Sequence, residues 1–139
     1  MRAYVVGTCD TKGEELAYVR DLIAAAGLPT VLVDLGTRSD GARADVKPRE
    51  VAAHHLGGAE AVLGDDRGAA VAAMADAFVR FVATRGDIGG MIGLGGSGGT
   101  ALITPAMRAL PVGTPKVMVS TVASGNVAPY VGPCDICMM

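Results

Sequence analysis

The chain has 139 residues and a formal net charge of −2, and its residues are 50% hydrophobic but only 4% aromatic. This length suits one domain that buries a core without disulfides, and the absence of a lysine- or arginine-rich run argues against nucleic-acid binding. No apolar run reaches membrane-spanning length and no secretion signal is readable, so we expect a cytoplasmic protein without a membrane anchor.

Strands and helices alternate in the first part of the chain. Ala3–Gly7 is a short apolar run that predicts the first strand, and Thr8–Gly13 is expected to form a loop. Thr30–Leu35 predicts a second, buried strand, because it is a run of apolar residues with Asp34 near its end. The helix between these strands is predicted from apolar residues at helical spacing, namely Leu16, Val19, Leu22 and Ile23.

A long polar segment follows the second strand. Gly36 to Pro48 has little periodicity and is predicted to be a surface loop, a type of loop that often acts as a lid. Pro48 is expected to start a short helix that ends near Leu56. Asp65 or Asp66 is expected to cap a longer helix, whose apolar side comprises Val71, Met74, Phe78 and Val82.

The last part of the chain repeats the alternation. Ile88–Leu94 predicts a third strand, and the glycine-rich loop Gly95–Thr100 opens the next helix. Pro105 is expected to kink that helix, or Thr104 to cap a restarted one. A fourth strand at Lys116–Ser120, a small-residue loop and the start of a fifth strand at Ile136–Met139 complete the pattern.

This order predicts an α/β fold with three layers: a doubly wound, mainly parallel, Rossmann-like sheet of about five strands. Residues 1–139 then form one domain, and the lack of a helix after the fifth strand predicts that it is truncated at its C-terminus. Ligands bind such sheets at the carboxyl ends of the strands. The rule selects the loops at Thr8–Gly13, Asp34–Arg38, Gly95–Thr100 and Ser120–Asn126.

The glycine-rich loop carries the strongest functional signal. A strand-to-helix turn without side chains lets backbone N–H groups approach an anion, and the helix N-terminus adds partial positive charge. Ser97 and Thr100 offer hydroxyl donors. The loop is not a Walker motif, since no lysine precedes Thr100, and it is not a dinucleotide fingerprint, which would follow the first strand. The alternative is a turn that serves only close packing of helix and strand.

The loop after the first strand offers complementary groups. Thr8 and Thr11 carry hydroxyls, Lys12 a cation for phosphate, and Asp10 a carboxylate for Mg²⁺ or a ribose. The alternative is a solvated turn that caps the helix. Asp34 could accept hydrogen bonds from ribose hydroxyls or cap the following loop.

Small hydroxyl residues also follow the fourth strand, where a ligand could approach closely. These residues are Ser120, Thr121, Ser124 and Gly125, although ordinary turns favour the same types. Cys134 and Cys137 are expected to be buried apolar thiols, because no second ligand pair completes a zinc site. We predict no metal-ligand cluster from the sequence.

Four blocks of sequence together resemble a known family. They are GTCDTKGEEL (Gly7–Leu16), VDLG (Val33–Gly36), GLGGSGGT (Gly93–Thr100) and KVMVSTVASGNV (Lys116–Val127). Their order and spacing resemble the Tm-one-like ATP-binding domain family, also called uncharacterised protein family 0261, over almost the whole chain. The resemblance implies a longer, two-part α/β protein that binds ATP, with Mg²⁺, in this N-terminal part and self-associates, with no established reaction.

The resemblance also implies which residues contact the nucleotide. They are Thr8, Asp10, Thr11, Lys12, Gly95, Gly96, Ser97, Gly98, Gly99, Thr100, Ser120, Thr121, Ser124 and Gly125. The expected ligand is therefore a nucleotide, or another small molecule carrying phosphate or carboxylate. Two other hypotheses are an enzyme that acts on such a molecule with ATP as cosubstrate, and an interaction scaffold whose apolar surface packs on a partner copy or on the missing half.

Overall fold

Strands and helices alternate along the whole chain. In the computed structural model, which describes residues 1–139, the strands are β1 Arg2–Gly7, β2 Thr30–Asp34, β3 Ile88–Gly95, β4 Lys116–Ser120 and β5 Cys137–Met138. The helices are α1 Cys9–Ala25, α2 Pro48–Ala52, α3 Arg67–Ala83, α4 Ser97–Ala109 and α5 Ala128–Val131, with a 3-10 turn at Ala59–Ala61. None of these helices combines the length and the apolar character needed to span a bilayer.

The five strands form one sheet in the order β2-β1-β3-β4-β5, and every neighbouring pair is parallel. The chain steps from β1 to β2 in one direction and then to β3 in the other. Because βαβ crossovers are right-handed, this reversal places α1 on one face and α3 and α4 on the other. The predicted three-layer, Rossmann-like α/β fold is confirmed, and the reversal between β1 and β3 is the point where ligands bind in such sheets.

The two faces of the sheet are covered unequally. The face under α3 and α4 holds a core of 22 buried residues, which includes Tyr4, Phe78 and Met118. The opposite face holds four buried residues: Val5, Leu16, Leu32 and Leu94. On that face α1 packs on β1, β2 and β3, whereas Val119 of β4 stays 40% exposed.

The segment from Gly36 to Pro48 is a loop, as predicted, but it is attached to the edge of the sheet. It turns back so that Val46 pairs with Val33 in a parallel bridge, and the Asp34 amide donates to the Val46 carbonyl. The Asp45 carboxylate accepts from the Leu32 amide at 2.8 Å. An edge strand exposes unpaired backbone groups, and this segment satisfies those of β2, which explains the difference.

Helix α1 begins earlier than predicted. Residues 8 to 13 were expected to form a loop, but the helix starts at Cys9, with one residue, Lys12, at non-helical angles (φ −128°, ψ 21°). The buried face of α1 is also narrower than the apolar face that was predicted, because Leu16 is buried while Leu22 is 55% exposed. The helix therefore contacts the sheet along one thin stripe.

The later helices follow the prediction more closely. Asp66 caps α3 by accepting from the Gly68 and Ala69 amides. Met74, Phe78 and Val82 are buried as expected. Helix α4 runs through Pro105 without restarting at Thr104, whose hydroxyl instead donates to the Thr100 carbonyl within the same helix.

A buried lysine ties β4 to the segment before β5. Lys116 is 3% exposed, and its Nζ donates to Asp135 Oδ1 at 2.6 Å and to the carbonyls of Pro111 and Thr114. The hydrogen bond from Lys116 holds the pKa of the Asp135 carboxyl below its ordinary value of 3.8, and a bond from the Gly113 amide adds to this effect. The pair therefore fixes the last crossover of the sheet.

Asp135→Asn is expected to change how stability depends on pH. Since the folded-state pKa of Asp135 is depressed, its contribution is complete above the ordinary carboxyl pKa of 3.8 and is lost as the pH falls below it. The wild-type melting temperature should therefore exceed that of the variant at pH 7, and the gap should narrow at pH 3. Thermal unfolding at both pH values measures this, and a gap that is equal at the two would contradict it.

Candidate functional site

A polar cavity of about 310 Å³ opens at the carboxyl ends of β1 and β3, where the strand order reverses. The loops after these two strands meet there, together with the start of α3. The lining residues are Thr8, Asp10, Thr11, Lys12, Leu35, Thr37, Arg67, Val71, Gly95, Gly96, Ser97, Gly98, Gly99 and Leu102. The structure thus brings the two strongest sequence motifs together around one space.

Some glycines of these motifs are required by packing. A Cβ at Gly95 would lie 2.8 Å from the Gly99 Cα, so β3 and α4 meet too closely for any side chain there. A Cβ at Gly93 would lie 2.7 Å from the Met118 sulfur, and one at Gly7 would lie 2.8 Å from the Leu16 side chain. The packing interpretation therefore accounts for these three positions.

Other glycines of the same loop are not required by packing. A Cβ at Gly98 would meet no atom within 4 Å, and one at Gly96 or Gly99 would meet its nearest neighbour at 3.6 or 3.7 Å, an ordinary contact. None of the three has a positive φ. Glycine is a poorer helix residue than alanine, by about 1 kcal/mol in a helix interior, so Gly98 and Gly99 in the first turn do not stabilise α4. Their lack of side chains leaves the cavity floor bare.

The first turn of α4 presents unpaired donors to this floor. No side chain caps the helix, and its first backbone bond runs from the Thr100 amide to the Gly96 carbonyl at 2.9 Å. The amides of Ser97, Gly98 and Gly99 therefore have no acceptor within the helix. These three N–H groups and the positive end of the helix dipole suit an anion.

Two cations face the same space. Lys12 and Arg67 line the cavity, and neither forms an ion pair within the chain. Arg38 and Arg43 are also without ion pairs and line an adjoining cavity of about 360 Å³, which Asp10 shares. Unpaired cations in two adjoining cavities favour a ligand with several negative charges.

The hydroxyls after β1 are held by each other. Thr8 Oγ1 and Thr11 Oγ1 are 2.5 Å apart, and both residues line the cavity. Asp10 lies at the boundary between the cavities and is exposed. Its Oδ1 would be 2.7 Å from a Cβ at Gly36, so glycine at that position leaves room for the carboxylate.

Two predicted contact residues lie beneath the cavity with their polar groups engaged. Asp34 is 0% exposed; its Oδ1 accepts from the amides of Cys9 and Gly36, and its Oδ2 accepts from the Ser39 hydroxyl. Thr100 is also 0% exposed, with its Oγ1 donating to the Gly96 carbonyl. In the structure both side chains hold the site loops in place.

The loop after β4 lies beside the cavity without lining it. Ser120 Oγ is 2.5 Å from Thr100 Oγ1, and the Thr121 amide donates to the Gly95 carbonyl. Ser124 and Gly125 are exposed, further along the loop. Four residues predicted to contact the ligand thus lie outside the cavity wall, namely Ser120, Thr121, Ser124 and Gly125. Of these, Ser120 and Thr121 contact the glycine-rich loop.

Sequence reasoning missed Arg67, which lines the cavity. It selected the loop Asp34–Arg38 without singling out Thr37, which also lines the cavity. Arg67 is the first residue of α3, directly after the capping Asp66. A helix that leads to the start of a parallel strand begins at the carboxyl edge of the sheet, so its first turn lies near the ligand site. Because Asp66 was a predicted cap of α3, the sequence already indicated that Arg67 begins the helix at this edge of the sheet.

Cys9 is the one thiol next to the site. Burial raises the pKa of Cys9 to about 12, and the neighbouring Asp34 carboxylate acts in the same direction. The thiol therefore stays protonated at neutral pH and is a poor nucleophile, because the thiolate is the reactive form. The other two cysteines lie elsewhere: Cys134 is half-buried, and Cys137 is exposed, contrary to the buried thiol predicted for it.

The fold and the cavity define the chain as a Rossmann-like α/β domain with a side-chain-poor helix N-terminus at its switch point. Residues 1–139 match the N-terminal domain of Uncharacterised protein family (UPF0261). The chain belongs to this family, which confirms the resemblance found in the sequence.

Similar proteins occur in bacteria and in a plant. A UPF0261 protein of Mesorhizobium japonicum is 59% identical over 139 residues and one of Rhizobium meliloti is 58% identical; each match covers 99% of this chain and 35% of the relative. The ToMV resistance protein Tm-1(GCR237) of Solanum lycopersicum is 36% identical, over 97% of this chain and 21% of that protein. The chain thus spans about a third of the bacterial relatives.

Proposed function

We propose that this domain binds a nucleotide, ATP, with its phosphates on the amides of Ser97, Gly98 and Gly99. The supporting observation is the open space above Gly98, where glycine does not stabilise the helix and no neighbouring atom requires it. A backbone anion site needs such a bare surface so that phosphate oxygens can reach the N–H groups. Lys12 and Arg67 then neutralise phosphate charge from the sides of the cavity.

Mg²⁺ is proposed to accompany the nucleotide. Asp10 is the carboxylate that lines the cavity, and its exposed position leaves it free to bind a metal ion together with phosphate oxygens. Mg²⁺ is commonly held this way, by one or two carboxylates plus the phosphates of the substrate. In this proposal Asp34 holds the loops after β1 and β2 through hydrogen bonds from below the cavity. Ser120 and Thr121 hold the glycine-rich loop from beside the cavity.

The proposal extends to the longer family members. There we propose that this domain works joined to a second α/β half, in a cytoplasmic, self-associating protein, since the bacterial relatives are nearly three times as long as the match. The site described above lies within residues 1–139 and can be tested on this chain alone.

Calorimetric titration with ATP and Mg²⁺ tests the nucleotide proposal. ATP is expected to bind more tightly than adenosine, because the amides and cations of the cavity face phosphates. Tripolyphosphate without the nucleoside is expected to bind more weakly than ATP but to compete with it. Absence of ATP binding at millimolar concentration would reject the proposal, and adenosine binding as tightly as ATP would reject the phosphate assignment.

Arg67→Ala is expected to weaken ATP binding by about tenfold, because one charge-assisted hydrogen bond contributes about 1.5 kcal/mol or more. Arg49→Ala is the matched control, since Arg49 is also an exposed arginine early in a helix but pairs with Glu60 away from the cavity. Titration of both variants with ATP and Mg²⁺ measures the effect. Equal affinities would remove Arg67 from the site.

A further inference from the structure

One strip of the sheet lacks a covering helix. On the α1 face, the side chains of Ile92, Val117, Val119 and Cys137 follow one another across β3, β4 and β5, because Val117 lies beside both Ile92 and Cys137 in the strand register. We call these four residues the open strip. Val119 is 40% exposed, and Cys137 is also exposed.

The open strip continues into an apolar groove. A cavity of about 370 Å³ lies against Ile92 and Val117 and is bordered by Ile23 of α1 and by Leu28, which is 56% exposed. Arg2 is the one lining residue with a charged side chain. The groove therefore runs between the C-terminal part of α1 and the uncovered part of β3 and β4.

Parallel sheets are normally buried on both faces, because every strand is followed by a crossover that covers one side or the other. Here α3 and α4 cover one face of the sheet, whereas α1 is the one helix that covers part of the other face. Three strands spaced at about 4.8 Å leave a band about 10–14 Å wide. An α-helix with its side chains is about 10–12 Å across, so the band accommodates one helix lying beside α1.

We propose that the open strip is the docking site for one amphipathic helix, supplied by the part of the polypeptide that follows this domain in full-length family members. The matched family region is an N-terminal domain, and the match covers 35% of each bacterial relative, so the longer proteins contain the chain needed to supply that helix. Its facing side carries Leu, Ile, Val or Ala, because most of the residues that line the groove are apolar and Arg2 has the one charged side chain among them. This inference does not depend on the nucleotide site.

Cys137 provides a built-in probe of the open strip. Thiol alkylation follows exposure, so Cys137 should react readily in the 139-residue chain. We compare its alkylation rate, by mass spectrometry, with the rate in a fusion of this chain to the part of the Mesorhizobium japonicum relative that follows its matching region. The expected result is alkylation at least about tenfold slower in the fusion, since reaction then requires local opening. An introduced Val112→Cys, at a position that is 86% exposed outside the strip, should react equally in both.

A second measurement tests the open strip without relying on alkylation. Val119→Lys should lower the melting temperature of the fusion but not that of the 139-residue chain, where the lysine is solvated. If the fusion fails to fold, cysteine is placed at the position aligned with Val119 in the complete relative and its protection is measured there. Equal alkylation in short and long proteins would overturn the proposal. So would a 139-residue chain that light scattering shows to be a dimer and that Val119→Lys dissociates, since a second copy would then occupy the strip.

Discussion

Gly98→Val is expected to abolish ATP binding while leaving the domain folded. The added side chain projects into open space, where no protein atom lies within 4 Å of the Cβ, so it occupies the cavity floor without displacing neighbours. Valine is no worse than glycine as a helix residue, so α4 should keep or gain stability. The predicted loss of affinity is at least about 100-fold, or about 2.7 kcal/mol, measured by calorimetric titration with ATP and Mg²⁺.

Gly86→Val is the matched control for this substitution. Gly86 also has no atom within 4 Å of its Cβ, but it lies before β3, at the opposite end of the sheet from the cavity. The control should bind ATP as the wild type does. Unchanged affinity in Gly98→Val, with a normal melting temperature, would show that phosphates do not lie over the first turn of α4.

Gly95→Ala, unlike Gly98→Val, is expected to lower the stability of the fold. Its Cβ would lie 2.8 Å from the Gly99 Cα and 3.2 Å from the Gly99 carbonyl carbon, and neither backbone atom can move without shifting α4 away from β3. Overpacking of this kind costs about 1–3 kcal/mol, which corresponds to a fall in melting temperature of roughly 3–10 °C for a domain of this size.

Thermal unfolding without ligand measures this effect, with Gly86→Ala as the control. The control substitution meets no neighbouring atom, so its melting temperature should stay within about 2 °C of the wild type. A Gly95→Ala protein as stable as the control would mean that β3 and α4 do not need to approach this closely. Substitutions at Gly95 and at Gly98 thus test separately the packing role of the glycine-rich loop and its proposed binding role.

The sheet was predictable from the sequence because its strands are short apolar runs bounded by glycine, proline and polar residues. Tyr4, Leu32 and Met91 are buried in strands predicted from such runs. The order of strands and helices then constrains the topology, since parallel strands joined by right-handed crossovers allow few arrangements. The meeting of the loops after β1 and β3 follows from the same rule.

The parts that were missed depend on contacts between residues distant in sequence. Val46 pairs with β2 although its segment has no strand pattern, because the edge of β2 supplies the unpaired backbone groups. Cys137 was expected to be buried, but its side of β5 has no covering helix.

Residue type alone also did not reveal which groups were free to bind. Thr100 and Asp34 have the oxygens that a nucleotide needs, yet in the structure these atoms hold the backbone of neighbouring loops. Gly95 and Gly98 look alike in the sequence, and only the distances around them show that packing requires glycine at Gly95 and not at Gly98. Side-chain partners of this kind are set by tertiary structure.

The bridge formed by Val46 also bears on how this domain behaves at high concentration. It occupies the outer border of β2, which is one of the two borders of the sheet. Unprotected strand borders are templates on which other molecules add strands, the first step of β-aggregation. Because Val46 already pairs with this border, concentrated solutions of this domain should resist strand addition at β2.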